Sequence, residues 1–159
     1  MKEFILRARK AKTNPGINLN ELPKEGRMDA VCATISNTLW VSNAIRKDTT
    51  IHVVLEGPTN GPKTITFIGN DLRGLRSDER SIGSYIAQAL QRGAFLELNE
   101  SINVRPGIKI AKKSFERLLW EKSQTYKQII FLDARGKDLH DFNFEKNFVG
   151  HCSLNQIGA

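Results

Sequence analysis

The chain has only two cysteines in 159 residues, Cys32 and Cys152. Neither sits in a CxxC or a Cys/His spacing that would hold a metal, so no metal is expected. Cys32 lies within an apolar stripe and reads as a small core residue. Cys152 follows His151, and one His with one Cys does not make a zinc site. Long hydrophobic runs are lacking too, and none approaches the ~18 apolar residues that span a bilayer. The opening MKEFILRARK is charged throughout, unlike a signal peptide. The expectation is therefore no membrane partner and a cytoplasmic, reducing compartment. The common site fingerprints are absent as well. There is no GxGxxG or GxxxxGK[ST] for nucleotides, and no HExxH or GxSxG for hydrolysis.

What the chain does have is a basic excess. It carries 24 Lys+Arg against 17 Asp+Glu, a net charge of +7. A field of this sign favours polyanions such as RNA through counterion release. The hydrophobic and charged fractions, 40% and 26%, are ordinary for a globular protein. A chain of this length can bury about 70% of the surface it exposes unfolded, which suits one domain.

Hydrophobic periodicity divides the chain into alternating strands and helices. Glu3 to Arg7 reads as a strand. Thr13 to Gly26, with Asn14-Pro15-Gly16 and Pro23, reads as a loop. Arg27 to Ile45 is predicted as a helix, because Met28, Val31, Cys32, Ile35 and Leu39 recur on one face. Thr50 to Leu55 and Lys63 to Ile68 form a predicted hairpin around the turn at 57–62. A second helix begins at Ser77-Asp78-Glu79, with Ser77 as its expected cap, and ends near Gly93. Ala94 to Arg105 is poorly patterned. Pro106-Gly107 marks a turn before a short strand at Ile108 to Ile110. Ser114 caps a third helix whose Phe115, Leu118 and Leu119 face inward. Gln128 to Leu132 is a buried-strand run, followed by a turn at Arg135-Gly136. Strands alternating with helices indicate an α/β domain with a sheet that is at least partly parallel.

Basic residues fall in three groups. Lys2, Arg7, Arg9, Lys10 and Lys12 lie near the N-terminus, Arg46 and Lys47 close the first predicted helix, and Lys109, Lys112 and Lys113 form the third. At a helix end, cations are also favoured by the local dipole. His52 sits inside a strand pattern and reads as structural, whereas His140 lies in a polar stretch.

Several segments in order resemble one family. MKEFILRARKA is similar to its first strand, and Gly26-Arg27-Met28-Asp29 to the start of its first helix. Ser42-Asn43-Ala44-Ile45-Arg46-Lys47-Asp48 resembles the segment where that helix ends. Ser77-Asp78-Glu79-Arg80-Ser81 is the most distinctive match. Pro106-Gly107-Ile108, Ser114-Phe115, Phe131-Leu132 and Phe148-Val149-Gly150 follow. Together they resemble the archaeal-type tRNA (pseudouridine-54-N1)-methyltransferases and their bacterial relatives, of the SPOUT (trefoil-knot) superfamily.

The resemblance implies a SPOUT-like, mostly parallel sheet flanked by helices, with a trefoil knot in its C-terminal part, an exception to the usual topology rules. It implies S-adenosylmethionine (SAM) as methyl donor, a homodimer, and tRNA as substrate, methylated at N1 of a T-loop pseudouridine. Leu132 and Gly150 take the positions that hold the cofactor. Arg7, Arg27, Arg46 and Arg80 are the candidate RNA contacts. N1 of pseudouridine carries a proton that some group must accept. Asp29 and Asp78 are candidates by charge alone, and each also suits a helix start.

The resemblance ends after Gly150. The family continues with an acidic residue, a His, a helix and a knot-threading segment, whereas this chain reads His151-Cys152-Ser153-Leu154 and ends at Ala159. The sequence therefore leads one to expect an incomplete knot, an open sheet edge and weak or absent SAM binding by these 159 residues. Two other readings stand beside the first: a catalytically inactive RNA-binding module, and a methyltransferase acting on rRNA.

Overall fold

The computed structural model of the chain describes residues 2–132, 135 and 148–153. A seven-stranded sheet runs through the domain. Its strands are β1 (Lys2–Ala8), β4 (Thr49–Leu55), β5 (Lys63–Ile68), β6 (Ser101–Arg105), β7 (Ile108–Ala111), β8 (Ile129–Phe131) and β9 (Phe148–Ser153). The spatial order is β6-β7-β5-β4-β1-β9-β8. β4, β1, β9 and β8 pair in parallel, while β4-β5, β5-β7 and β7-β6 are antiparallel. Five of the seven strands thus run one way, as a mostly parallel sheet requires. The knot expected near the C-terminus, with Gly136 and His140, lies outside the described residues.

Three helices flank the sheet: α1 (Met28–Leu39), α2 (Glu79–Arg92) and α3 (Phe115–Thr125). Successive strand residues point to opposite faces, and the two faces are packed differently. On one, α1 and α2 close over Leu6, Ile51, Val53, Ile65 and Phe67 in one large cluster that includes the buried Cys32. On the other, α3 contributes Phe115 and Leu118 to a small cluster with Ile5, Val54 and Val149. Leu119 is half-buried against it. β4 is buried at all seven positions, as its β-branched run suggests for a strand covered on both sides.

Four sequence expectations are corrected. The first helix stops at Leu39, not Ile45. Trp40 is already extended, and β2 (Trp40–Val41) and β3 (Ala44–Ile45) form a small hairpin with Ser42 at φ 54°. The apolar stripe ends at Leu39, and Ser42 and Asn43, where it would continue, favour a turn. Arg46 and Lys47 therefore follow a hairpin and do not close a helix. The cap of α2 is Asp78, not Ser77: its carboxylate accepts from the Ser81 amide at 3.0 Å. The stretch read as unpatterned contains edge strand β6, where Ile102 and Val104 alternate with polar residues. Gly107, at φ 81°, turns β6 into β7, and a Cβ there would come within 2.6 Å of the Leu72 nitrogen. Ser114 caps α3 as expected, accepting from Arg117 N.

Candidate functional site

In an open α/β sheet, ligands bind beyond the carboxyl ends of parallel strands, where the chain reverses its direction of strand addition. β1 occupies that place here, with β4 on one side and β9 on the other. The carboxyl ends of β1, β9 and β8 therefore mark the candidate site.

Leu132 directly follows β8 at its carboxyl end, and Gly150 lies on the neighbouring strand, three residues before the end of β9. β8 and β9 are paired so that Ile130 faces Gly150 and Phe131 faces His151. The Leu132 amide donates to the His151 carbonyl at 2.9 Å. Phe131 and Leu132 are 56% and 41% exposed, an apolar shelf at the strand end. The His151 ring lies 4.7 Å from the Phe115 ring and 5.2 Å from that of Phe131. Among the described residues its buried Nε2 has no hydrogen-bond partner. Burial, with the positive charges of Arg7 and Arg9, pushes this imidazole below its ordinary pKa, so it is neutral at pH 7.

Arg7 borders the same site and is heavily engaged. Its Nε donates to Glu56 at 2.9 Å, its Nη2 to Glu116 at 3.3 Å, and its guanidinium lies 4.5 Å over Phe115. Two loops lock this end of β1. Gly26, at φ 74°, and Gly57 both pack on the Lys10–Ala11 backbone, and a Cβ at Gly26 would fall 1.7 Å from the Lys10 carbonyl oxygen. Only glycine tolerates both that conformation and that approach.

The other candidates divide. Arg27, next to Gly26, caps α1 in a left-handed conformation and forms two bonds to Asp29, at 3.0 and 3.1 Å. That pairing holds the Asp29 carboxyl below the usual range. Arg80 is exposed and donates to Asn20 in the loop that leads to Gly26. Asp78 is used in capping α2 and lies 3.6 Å from Arg76. Both proposed proton acceptors thus have structural partners. Arg46 is remote: it precedes β4, whose Thr49 pairs with Lys2 at the amino end of β1. Seven residues of strand, at about 3.3 Å each, put it about 20 Å from the Leu132 end.

The family whose model matches residues 1–150 is described as "Putative SAM-dependent RNA methyltransferase". The chain belongs to this family. It is 38% identical over 148 residues to a tRNA (pseudouridine(54)-N(1))-methyltransferase of Methanococcus maripaludis, covering 92% of this chain and 73% of the relative. The namesake from Methanococcus aeolicus is 40% identical over 149 residues, covering 92% and 72%. That of Pyrococcus abyssi is 33% identical over 163 residues, covering 99% and 79%.

For a member of this RNA methyltransferase family, two features escaped the sequence reading. One is the contact of His151 with Phe115, which joins α3 to the strand ends. The other is a buried polar cluster at the opposite end of β1. Glu3 Oε1 accepts from His52 Nε2 at 3.0 Å and from Lys122 Nζ at 3.1 Å. A charged residue at the second place of an apolar strand was the available signal. Burial works against the Glu3 anion, yet bonds from His52 and Tyr126 and the charge of Lys122 outweigh it, lowering its pKa to about 2. Among the described residues, no group of three or more His, Cys, Asp or Glu could hold a metal. No helix among them is long and apolar enough to cross a membrane.

Proposed function

We propose that the protein is a SAM-dependent tRNA methyltransferase that modifies N1 of pseudouridine in the T-loop, acting as a homodimer. The single observation that carries this reading is the pairing of β8 with β9, which bonds Leu132 to the His151 backbone, one residue past Gly150, beside the strand-order reversal. The residues there fit the cofactor. An apolar shelf of Phe131 and Leu132 suits the flat face of adenine, and His151 Nε2, which has no partner among the described residues, is a polar atom that a ligand or water can satisfy.

SAM supplies an electrophilic methyl group on a sulfonium. The chain's part is to bind, orient and exclude water, and well-oriented reactants gain roughly 7–11 kcal/mol. Backbone groups at the β8 and β9 ends hold the donor side. Arg27 and Arg80, exposed on the same loop system as the β1 end, contact the tRNA backbone, while Arg7 shapes the site wall through Glu56 and Phe115. Asp29 and Asp78 are not poised as bases, since each carboxylate is held by a neighbouring group.

The test is transfer of labelled methyl from excess SAM to tRNA transcripts carrying either pseudouridine or uridine at position 54. Label confined to the pseudouridine tRNA is expected, with at least a tenfold loss on Leu132→Asp or Gly150→Val. Label on rRNA alone, or RNA binding without any transfer, would overturn the reading.

A further inference from the structure

The face of the sheet that α3 leaves partly open carries a second feature, away from the Leu132 end. Between β4, β5, β7 and α3 lies a cavity of about 120 Å³. At the ~10–15 Å³ of such space that one water needs, it has room for several waters or a small polyatomic anion. Lys109, Lys113 and Lys122 line it, with Glu121 as the one carboxylate on its wall. Lys113 spends one donor on Glu121 at 2.7 Å, and Lys122 spends one on Glu3 at 3.1 Å. An ammonium has three donors, so each retains two. Lys109 has no ion-pair partner among the described residues.

The wall is held rigid behind these charges. The ionised Glu3 only accepts, so His52 donates from Nε2 and takes the Thr66 hydroxyl proton at Nδ1, at 2.8 Å. The Thr64 hydroxyl donates to the Lys113 carbonyl at 2.9 Å, which fixes the backbone beneath that lysine. Thr66 is thus committed to His52 and Thr64 to the Lys113 carbonyl, and the lysines keep the free donors. Three ammonium groups converge against two carboxylates, Glu121 on the wall and Glu3 behind Lys122, which leaves Lys109 as the uncompensated charge and unused donors on all three, an arrangement that favours an anion.

We propose that this cavity binds a phosphate group, either a backbone phosphodiester of RNA or a free phosphate. The proposal is independent of methyl transfer, so a chain inactive in that assay would leave it standing. The experiment is an amide NMR titration of the 159-residue chain with inorganic phosphate, at ionic strength held constant with chloride. Saturable shifts confined to Thr64–Thr66, Lys109–Lys113 and the adjoining turn of α3 are expected. Lys109→Ala, at an exposed and unpaired position, should weaken binding at least fivefold. Glu121→Gln, which frees Lys113, should tighten it at least threefold; misfolding cannot produce that gain. Displacement of phosphate by an oligoribonucleotide without terminal phosphates assigns the site to the RNA backbone, and failure to displace it assigns the site to free phosphate. Shifts that do not saturate, or an affinity that both variants leave unchanged, would overturn the proposal.

Discussion

The two faces of the sheet are built on different terms. The face under α1 and α2 is dry: Phe67, Ile65, Ile51, Val53, Met28, Ile35 and Leu39 are all essentially inaccessible. Lys63 is the polar intruder, and its buried ammonium donates to the Gly93 carbonyl at the α2 C-terminus. The face under α3 has a small apolar cluster, interrupted by Glu3, His52, Thr64, Thr66 and Lys122. The first face gains its stability from apolar burial, which is non-directional. The second depends on hydrogen bonds and charge pairs, which are worth little net when made and cost much when half broken. Polar groups are retained on one face while the other supplies the folding energy.

This contrast can be broken at its strongest point first. Phe67→Ala on the dry face should cost about 3–5 kcal/mol in denaturant unfolding, because it deletes a fully buried ring. Glu3→Ala on the polar face should cost about 3 kcal/mol, since it strands the Lys122 ammonium and the His52 N–H. The polar face should also carry a marked acid sensitivity. Glu3 is lowered from 4.5 to about 2, so its contribution is complete above pH 4.5 and is lost as pH falls from there toward about 2. His52 is pushed below 6.5 by burial; the unfolded chain takes up that proton first, so stability also declines as pH drops below 6.5. Glu3→Ala should flatten the acid limb of a stability–pH curve, and Phe67→Ala should shift the whole curve without changing its shape. A smaller effect is expected at the start of α2: Asp78→Ala removes its cap and should cost about 1 kcal/mol in denaturant unfolding. The smallest effect belongs to Cys32, whose thiol burial pushes up to about 12. It should resist a thiol reagent in the native state and react only on unfolding.

The dry face was the more legible in sequence. The stripe from Met28 to Leu39 and the TIHVVL run announced α1 and β4, because burial on that face follows a period. The hairpin at Trp40–Ile45 was hidden, since its apolar residues extend the helical pattern and only Ser42 and Asn43 betray the turn. The polar face was poorly legible because its partners are far apart in the chain. Arg7 meets Glu116 across 109 positions, and Lys122 meets Glu3 across 119. No local pattern reveals such pairs, so Arg7 read as a free cation. The adjacency of Leu132 and Gly150 was likewise invisible to periodicity and came from the family resemblance. The pairing of β8 with β9 supplies its physical basis.

The most direct test of the account is the structure of the protein with S-adenosylhomocysteine, the demethylated cofactor, or amide NMR shifts on its addition. The adenosyl group is predicted to lie at the carboxyl ends of β8 and β9, perturbing Leu132, Gly150 and His151 while leaving Thr66 and Lys109 unmoved. Binding in the lysine-lined cavity, or at the Arg46 end of the sheet, would contradict it.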